Sequence, residues 1–207
     1  MATFRSLLCA EKWWWDSAAE SYIQFHEDGT GDLVARRELC LFIAAHFNWE
    51  AQQPDFSNNE IDVASSWLQT WQPHNIGQID IKMTLTTRRI QLGEMDMQRF
   101  QINEDRLTEE AFLPQKLSLR LEKGRFMTVN DAQFVSELPY YQTFHYRLSC
   151  DPSPFPVQDM WKSPGGAPEQ LRFWEWKQFH SHERSLQSQM TPWGKVFNTC
   201  KRAIGLD

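Results

Sequence analysis

The sequence lacks most of the features that usually announce a function. Its four cysteines, at 9, 40, 150 and 200, stand too far apart for any C-x-x-C metal or redox motif. No stretch nears the ~20 apolar residues of a membrane helix, so no membrane span is expected. The apolar run Leu7-Leu8-Cys9-Ala10 is too short for a signal-peptide core, and no Asn-x-Ser/Thr acceptor occurs. These absences point to a cytoplasmic chain with reduced, mostly buried thiols; two structural disulfides in a secreted protein are the alternative. Neither a Gly-x-Ser-x-Gly elbow nor a Gly-rich phosphate loop is present, and no cysteine has an electropositive setting. Basic residues are few: 21 Lys plus Arg stand against 27 Asp plus Glu, a net charge of −6. General nucleic-acid binding is therefore not expected, because few counterions would be released from a phosphate backbone.

Tyrosine is scarce as well, at 4 residues, whereas Trp reaches 10 and Phe 14. That aromatic content excludes disordered, collagen-like and coiled-coil classes. A chain of 207 residues is long enough to bury a full core as one domain without disulfides or metal.

Period-2 patterns dominate what is present. Ser21 to Phe25 and Asp32 to Arg36 flank Asp28-Gly29-Thr30-Gly31, a hairpin with an Asp-Gly turn. From Leu39 to Trp49 the odd positions are Leu39, Leu41, Ile43, Ala45, Phe47 and Trp49, eleven residues that span about 36 Å as a strand. Ile79 to Thr86, Leu117 to Glu122 and Phe144 to Cys150 alternate in the same way. Met97 to Ile102 is a shorter candidate, Leu171 to Phe179 is aromatic on both faces, and Trp13 to Asp16 opens the series. Helix signals are fewer. Ser57 and Glu60 fit a capping box before Ile61, Ala64, Leu68 and Trp71, although the same segment also alternates as a strand would. Thr191 and Pro192 open a C-terminal helix over 190–204. A Pro/Gly-rich stretch, 151–170, reads as a long ordered loop because Phe155, Met160 and Trp161 give it something to bury. One domain, 1–207, is expected: an all-β, antiparallel barrel of about eight or nine strands with one or two short helices.

Three stretches carry a resemblance. Glu11-Lys-Trp13-Trp-Trp-Asp16, Tyr22 to Gly31, and Glu38 to Trp49 (Glu-Leu-Cys-Leu-Phe-Ile-Ala-Ala-His-Phe-Asn-Trp) resemble uncharacterised lipocalin-like, calycin-type proteins of filamentous fungi, by motif order over most of 11–150. The resemblance implies a lipocalin-like β-barrel. Trp13 would take the place of the first-strand Trp of lipocalins, with Glu11 where their Gly stands; Arg172 and Arg184 are both candidates for the Arg that packs over it.

Such a barrel is either filled or holds one small ligand. The expected activity is binding of a small, largely apolar or aromatic metabolite in an aromatic-lined lumen. The alternatives are an isomerase or cyclase working in the same lumen, and a protein-interaction module using exposed Trp at 13–15. The candidate ligand-binding residues are Trp49, Arg89, His145, Tyr146, Arg147, Phe173, Trp174, Glu175 and Trp176. In an enzyme, His145 or Glu175 would be the general acid or base. In each of the pairs Arg36-Arg37 and Arg88-Arg89 one guanidinium is expected in solvent. The other either reaches an anionic ligand group or forms a rim salt bridge. His180-Ser-His182-Glu183 has two ligand-like histidines but no third partner at a fitting distance, so neither metal nor other cofactor is expected.

Overall fold

The structure is a computed structural model that describes residues 2–52, 60–61, 73–134 and 142–183. In chain order its elements are β1 (Ala2–Thr3), α1 (Phe4–Ala10), β2 (Trp13–Trp14), β3 (Tyr22–Phe25), β4 (Thr30–Arg37) and β5 (Cys40–Ala51). They continue as β6 (Glu60–Ile61), β7 (His74–Arg89), β8 (Gln115–Phe126), α2 (Val129–Phe134), β9 (Phe144–Asp151), α3 (Ala167–Leu171) and β10 (Gln178–Glu183). Eight strands, all paired antiparallel, follow one another around a closed ring in the order β10-β2-β3-β4-β5-β7-β8-β9. β1 and β6 form a separate two-residue ladder.

Alternation decides what the ring encloses. Leu33 and Ala35 of β4, Ile43, Ala45, Phe47 and Trp49 of β5, and Ile79, Ile81, Met83 and Leu85 of β7 all join one buried cluster. Leu117, Leu119 and Leu121 of β8, Leu148 and Cys150 of β9, and Phe179 of β10 complete the wall. Cross-strand partners share a face, and the pairs Leu121↔Leu148 and Phe179↔Leu148 show three strands agreeing on theirs. The Asp-Gly hairpin forms as its residues require: Gly29 takes φ +85°, and the Asp28 carboxylate accepts from the Thr30 amide and hydroxyl. Gly31 has a second reason to be glycine, since a Cβ there would collide with the Phe47 ring and the Gln24 carbonyl.

Both ends of the ring are covered. At one, α1 is nucleated by a capping box in which Thr3 and Ser6 exchange side-chain-to-amide bonds. Its Phe4 and Leu8 enter the core, and Arg5 lies over the Trp49 ring. At the other, the segment between β9 and β10 brings Phe155, Trp161, Phe173 and Trp176 onto Phe42 and Phe179. A smaller cluster lies on the outer surface, where Met97 and Ile102 cover Tyr22, Val34, Leu41 and Ala44.

Several expectations are corrected. Leu39 is in the β4–β5 turn and 92% exposed, because the strand starts at Cys40 and Glu38 turns the chain with φ +52°. The register skips at Ala35/Arg36, so that Phe42 is unpaired and joins Ile43 in the core, while Leu41 falls on the outer face. Met97–Ile102 is not a strand: Met97–Arg99 is a turn of 3₁₀ helix on the outer surface. Leu171–Phe179 is mostly not a strand either. Pro168 near the start of α3 sets a helical geometry, Arg172 reverses the chain in the left-handed region, and Phe173–Glu175 is a single 3₁₀ turn before β10 begins at Gln178. Of the segment Ser57–Trp71 only Glu60–Ile61 is described, as the short strand β6; the rest of it and the helix over 190–204 lie outside the described residues.

Candidate functional site

The nine residues singled out from the sequence do not meet in one place. Trp49 faces the core, and its indole N–H donates to the carbonyls of His26 and Thr30 at 3.2 and 2.9 Å. Its polar handle therefore closes a hairpin. Arg89 is a loop clamp: it donates to the Met97 and Phe100 carbonyls and pairs with Glu104 and Asp105 at 3.1 and 2.9 Å. Arg147 pairs with the buried Glu122 carboxylate at 2.8 Å and lies 4.5 Å from the Phe126 ring centroid. Tyr146 is buried, and burial raises its hydroxyl pKa.

His145 is half-buried on β9 between the pairs Tyr146↔Ser181 and Phe144↔Glu183. Four residues of β10, roughly 13 Å of strand, separate its level from Gln178. Glu175 lies beyond that point, ion-paired to Arg172. The two candidate acid–base groups thus stand at different levels of the molecule. Burial disfavours the thiolate at two of the three described cysteines. Cys9, Cys40 and Cys150 are free, with Cys40 exposed; burial pushes Cys9 up to about 12 and raises Cys150 as well. The expectation of mostly buried thiols fails at Cys40, which stands beside Leu39 at the hairpin turn.

Three of the aromatic candidates belong to the ring-rich cover. Phe173 is fully buried, stacked at 12° on Trp161, and in contact with Phe42, Phe155 and Trp176. Trp174 meets Trp161 edge-on. Trp176 lies flat on Trp15, with ring centroids 3.5 Å apart and planes at 6°, and donates its N–H to the Leu171 carbonyl. The interaction reading of 13–15 loses its exposed rings here. Trp13 is buried and donates to Leu8, Trp14 meets Tyr22 edge-on, and Trp15 is half-buried against Trp176. Among the described residues no Arg is found packed on Trp13: Arg172 is engaged with Glu175, and Arg184 lies outside them.

What the pair Trp15–Trp176 does line is a groove of about 460 Å³ between the 170–178 segment, α2 and the end of β4. Leu171 and Val129 add apolar surface, and Gln170 and Gln178 add amides. Three cations border it: Arg37, Arg172 and Lys177. Arg172 is neutralised by Glu175, and Lys177 by Asp151 at 2.6 Å. Arg37 is half-buried and, among the described residues, has neither a carboxylate within 4 Å nor a hydrogen-bond acceptor. Asp16 feels its charge, but the Asp16 oxygens accept the Glu20 and Ser21 amides. Burial dominates at Asp16 and raises its pKa despite those bonds.

Comparison with known proteins adds no precedent: no family model, curated protein or solved structure matches the chain. The groove must therefore be read from its own chemistry. It unites Glu175 and Trp176 of the residues proposed from sequence, and adds Trp15, Arg37 and Lys177. Trp15 and Arg37 were visible as an aromatic run and an Arg pair. What sequence periodicity lacked was the non-strand path of 171–177 that brings Trp176 to them.

Proposed function

We propose that the protein binds a small, largely apolar or aromatic metabolite, and that the Trp15–Trp176 groove is where it does so. The observation that carries this reading is the parallel indole pair bordering a cleft with both apolar and amide surface. The half-buried Trp15 offers indole surface to the cleft, held in place by the buried Trp176 stacked behind it, and flanking amides and cations can fix orientation. The ring interior is the less suitable place: Trp13, Phe25, Phe47 and Phe179 are fully buried there, and Phe25 meets both Phe47 and Trp49 edge-on. We read the whole as a lipocalin-like barrel, of fungal type by its motifs, whose ligand site has moved from the lumen to the rim. The closed eight-strand ring and the helix across one end support that reading. Free thiols at 9, 40 and 150 support a reducing, cytoplasmic setting, and the acidic balance argues against nucleic acid as partner.

Native mass spectrometry of the freshly purified chain tests the proposal. A small molecule should be retained by the wild type and lost in Trp15→Ala, which removes one member of the stacked pair at a half-buried position. Retention unchanged by Trp15→Ala would contradict this site.

A further inference from the structure

The groove's charges narrow the chemical class of its ligand. This step rests on the groove being the binding site. Three cations border it, and two are already paired, Arg172 with Glu175 of the groove and Lys177 with Asp151. The third, Arg37, comes from the end of β4, and among the described residues its guanidinium has no hydrogen bond and no ion pair within 4 Å, only the more distant charge of Asp16. A half-buried guanidinium keeps its charge and five fixed donors whether or not an anion is present. We infer that the groove selects an aromatic carboxylate: its ring packs against Trp15, which the buried Trp176 backs, and its carboxylate is received by Arg37.

Two features of the surroundings favour a planar monoanion. Arg37 is a fork, suited to the two oxygens of a carboxylate, whereas clustered lysines would suit a more highly charged group. Glu175 and Asp151 already occupy Arg172 and Lys177, so among the described residues a multiply charged ligand such as a nucleoside triphosphate would meet one groove cation without an ion pair, Arg37, and the Glu175 carboxylate. The half-burial of Arg37 keeps its interaction less screened by salt than that of a fully exposed pair.

The test uses 2-naphthoate and its uncharged amide, 2-naphthamide, titrated calorimetrically into the full chain. The carboxylate should bind about tenfold or more tightly than the amide, the scale of a charge-assisted hydrogen bond. Arg37→Gln should abolish that preference while leaving the amide's affinity unchanged, and Arg37→Lys should keep only part of it. Arg37 precedes an exposed hairpin turn, and matching thermal transitions for the three proteins will confirm that folding is retained. Equal binding of the two probes by the wild type would overturn the carboxylate assignment and leave the groove itself standing. So would a preference that survives in Arg37→Gln. Failure of both probes to bind, or binding indifferent to Trp15→Ala, would overturn the groove reading on which the assignment rests.

Discussion

At the scale of single residues, the excess of Trp over Tyr has a structural explanation. Three indoles donate to the carbonyl five residues earlier: Trp13 to Leu8, Trp161 to Pro156 and Trp176 to Leu171. Each ring fills a buried space while its N–H closes the loop that led to it, a job for which Phe has no donor and the Tyr hydroxyl points elsewhere. Trp161→Phe should therefore destabilise by about 1–3 kcal/mol, measured by urea unfolding, through the orphaned Pro156 carbonyl. Gly31→Ala should cost about 1–3 kcal/mol or more, because its Cβ meets a fixed backbone carbonyl as well as a ring. His180 makes a different prediction. It is fully buried beside Phe126 and Phe144, and burial, aided by the Arg147 charge and only partly offset by the Trp14 backbone, holds its pKa down at about 3. The unfolded chain binds that proton from near 6.5 downward while the folded chain refuses it. Stability should thus fall as pH drops from about 6.5 towards 3, by an amount on the order of a few kcal/mol. Denaturant midpoints measured across that range should show the loss, and His180→Phe should flatten it.

At the scale of elements, alternation made the ring legible and left its covers obscure. The odd positions of 43–49 and the even positions of 144–150 face the core as the period-2 pattern demands, because one buried face fixes register. The segments 97–102 and 171–177 are equally apolar but are not strands. Their residues answer to tertiary partners, and composition alone cannot distinguish a ring buried in a sheet from one buried in a loop. The Ala35/Arg36 irregularity likewise has no local signal. Asn103 shows how such covers attach. Where β5 and β7 part, its side-chain amide both donates to and accepts from the Ala44 backbone, at 3.0 and 2.9 Å, in the manner of an added strand. It does so from φ +52°, a conformation Asn tolerates better than most residues. Asn103→Ala should cost about 2–4 kcal/mol by losing two bonds and stranding a buried amide, and should lower Tm by roughly 4–16 °C in a calorimetric scan.

At the scale of the whole molecule, a ring-filled interior is separate from the Trp15–Trp176 groove outside it, the site proposed for the ligand. Of the residues proposed from sequence, Trp49, Arg89, Arg147 and Phe173 are explained by hairpin closure, loop clamping, an ion pair and core packing. Glu175 and Trp176 remain in the groove, joined there by Trp15 and Arg37. That pairing was only half legible, because it depends on a turn at Arg172 that no period-2 reading contains. The direct measurement is an NMR titration of the indole N–H signals with 2-naphthoate. The account predicts shifts at Trp15 and Trp176, with Trp13 and Trp49 unmoved. Shifts centred on Trp13 and Trp49 would place the ligand inside the ring and contradict it.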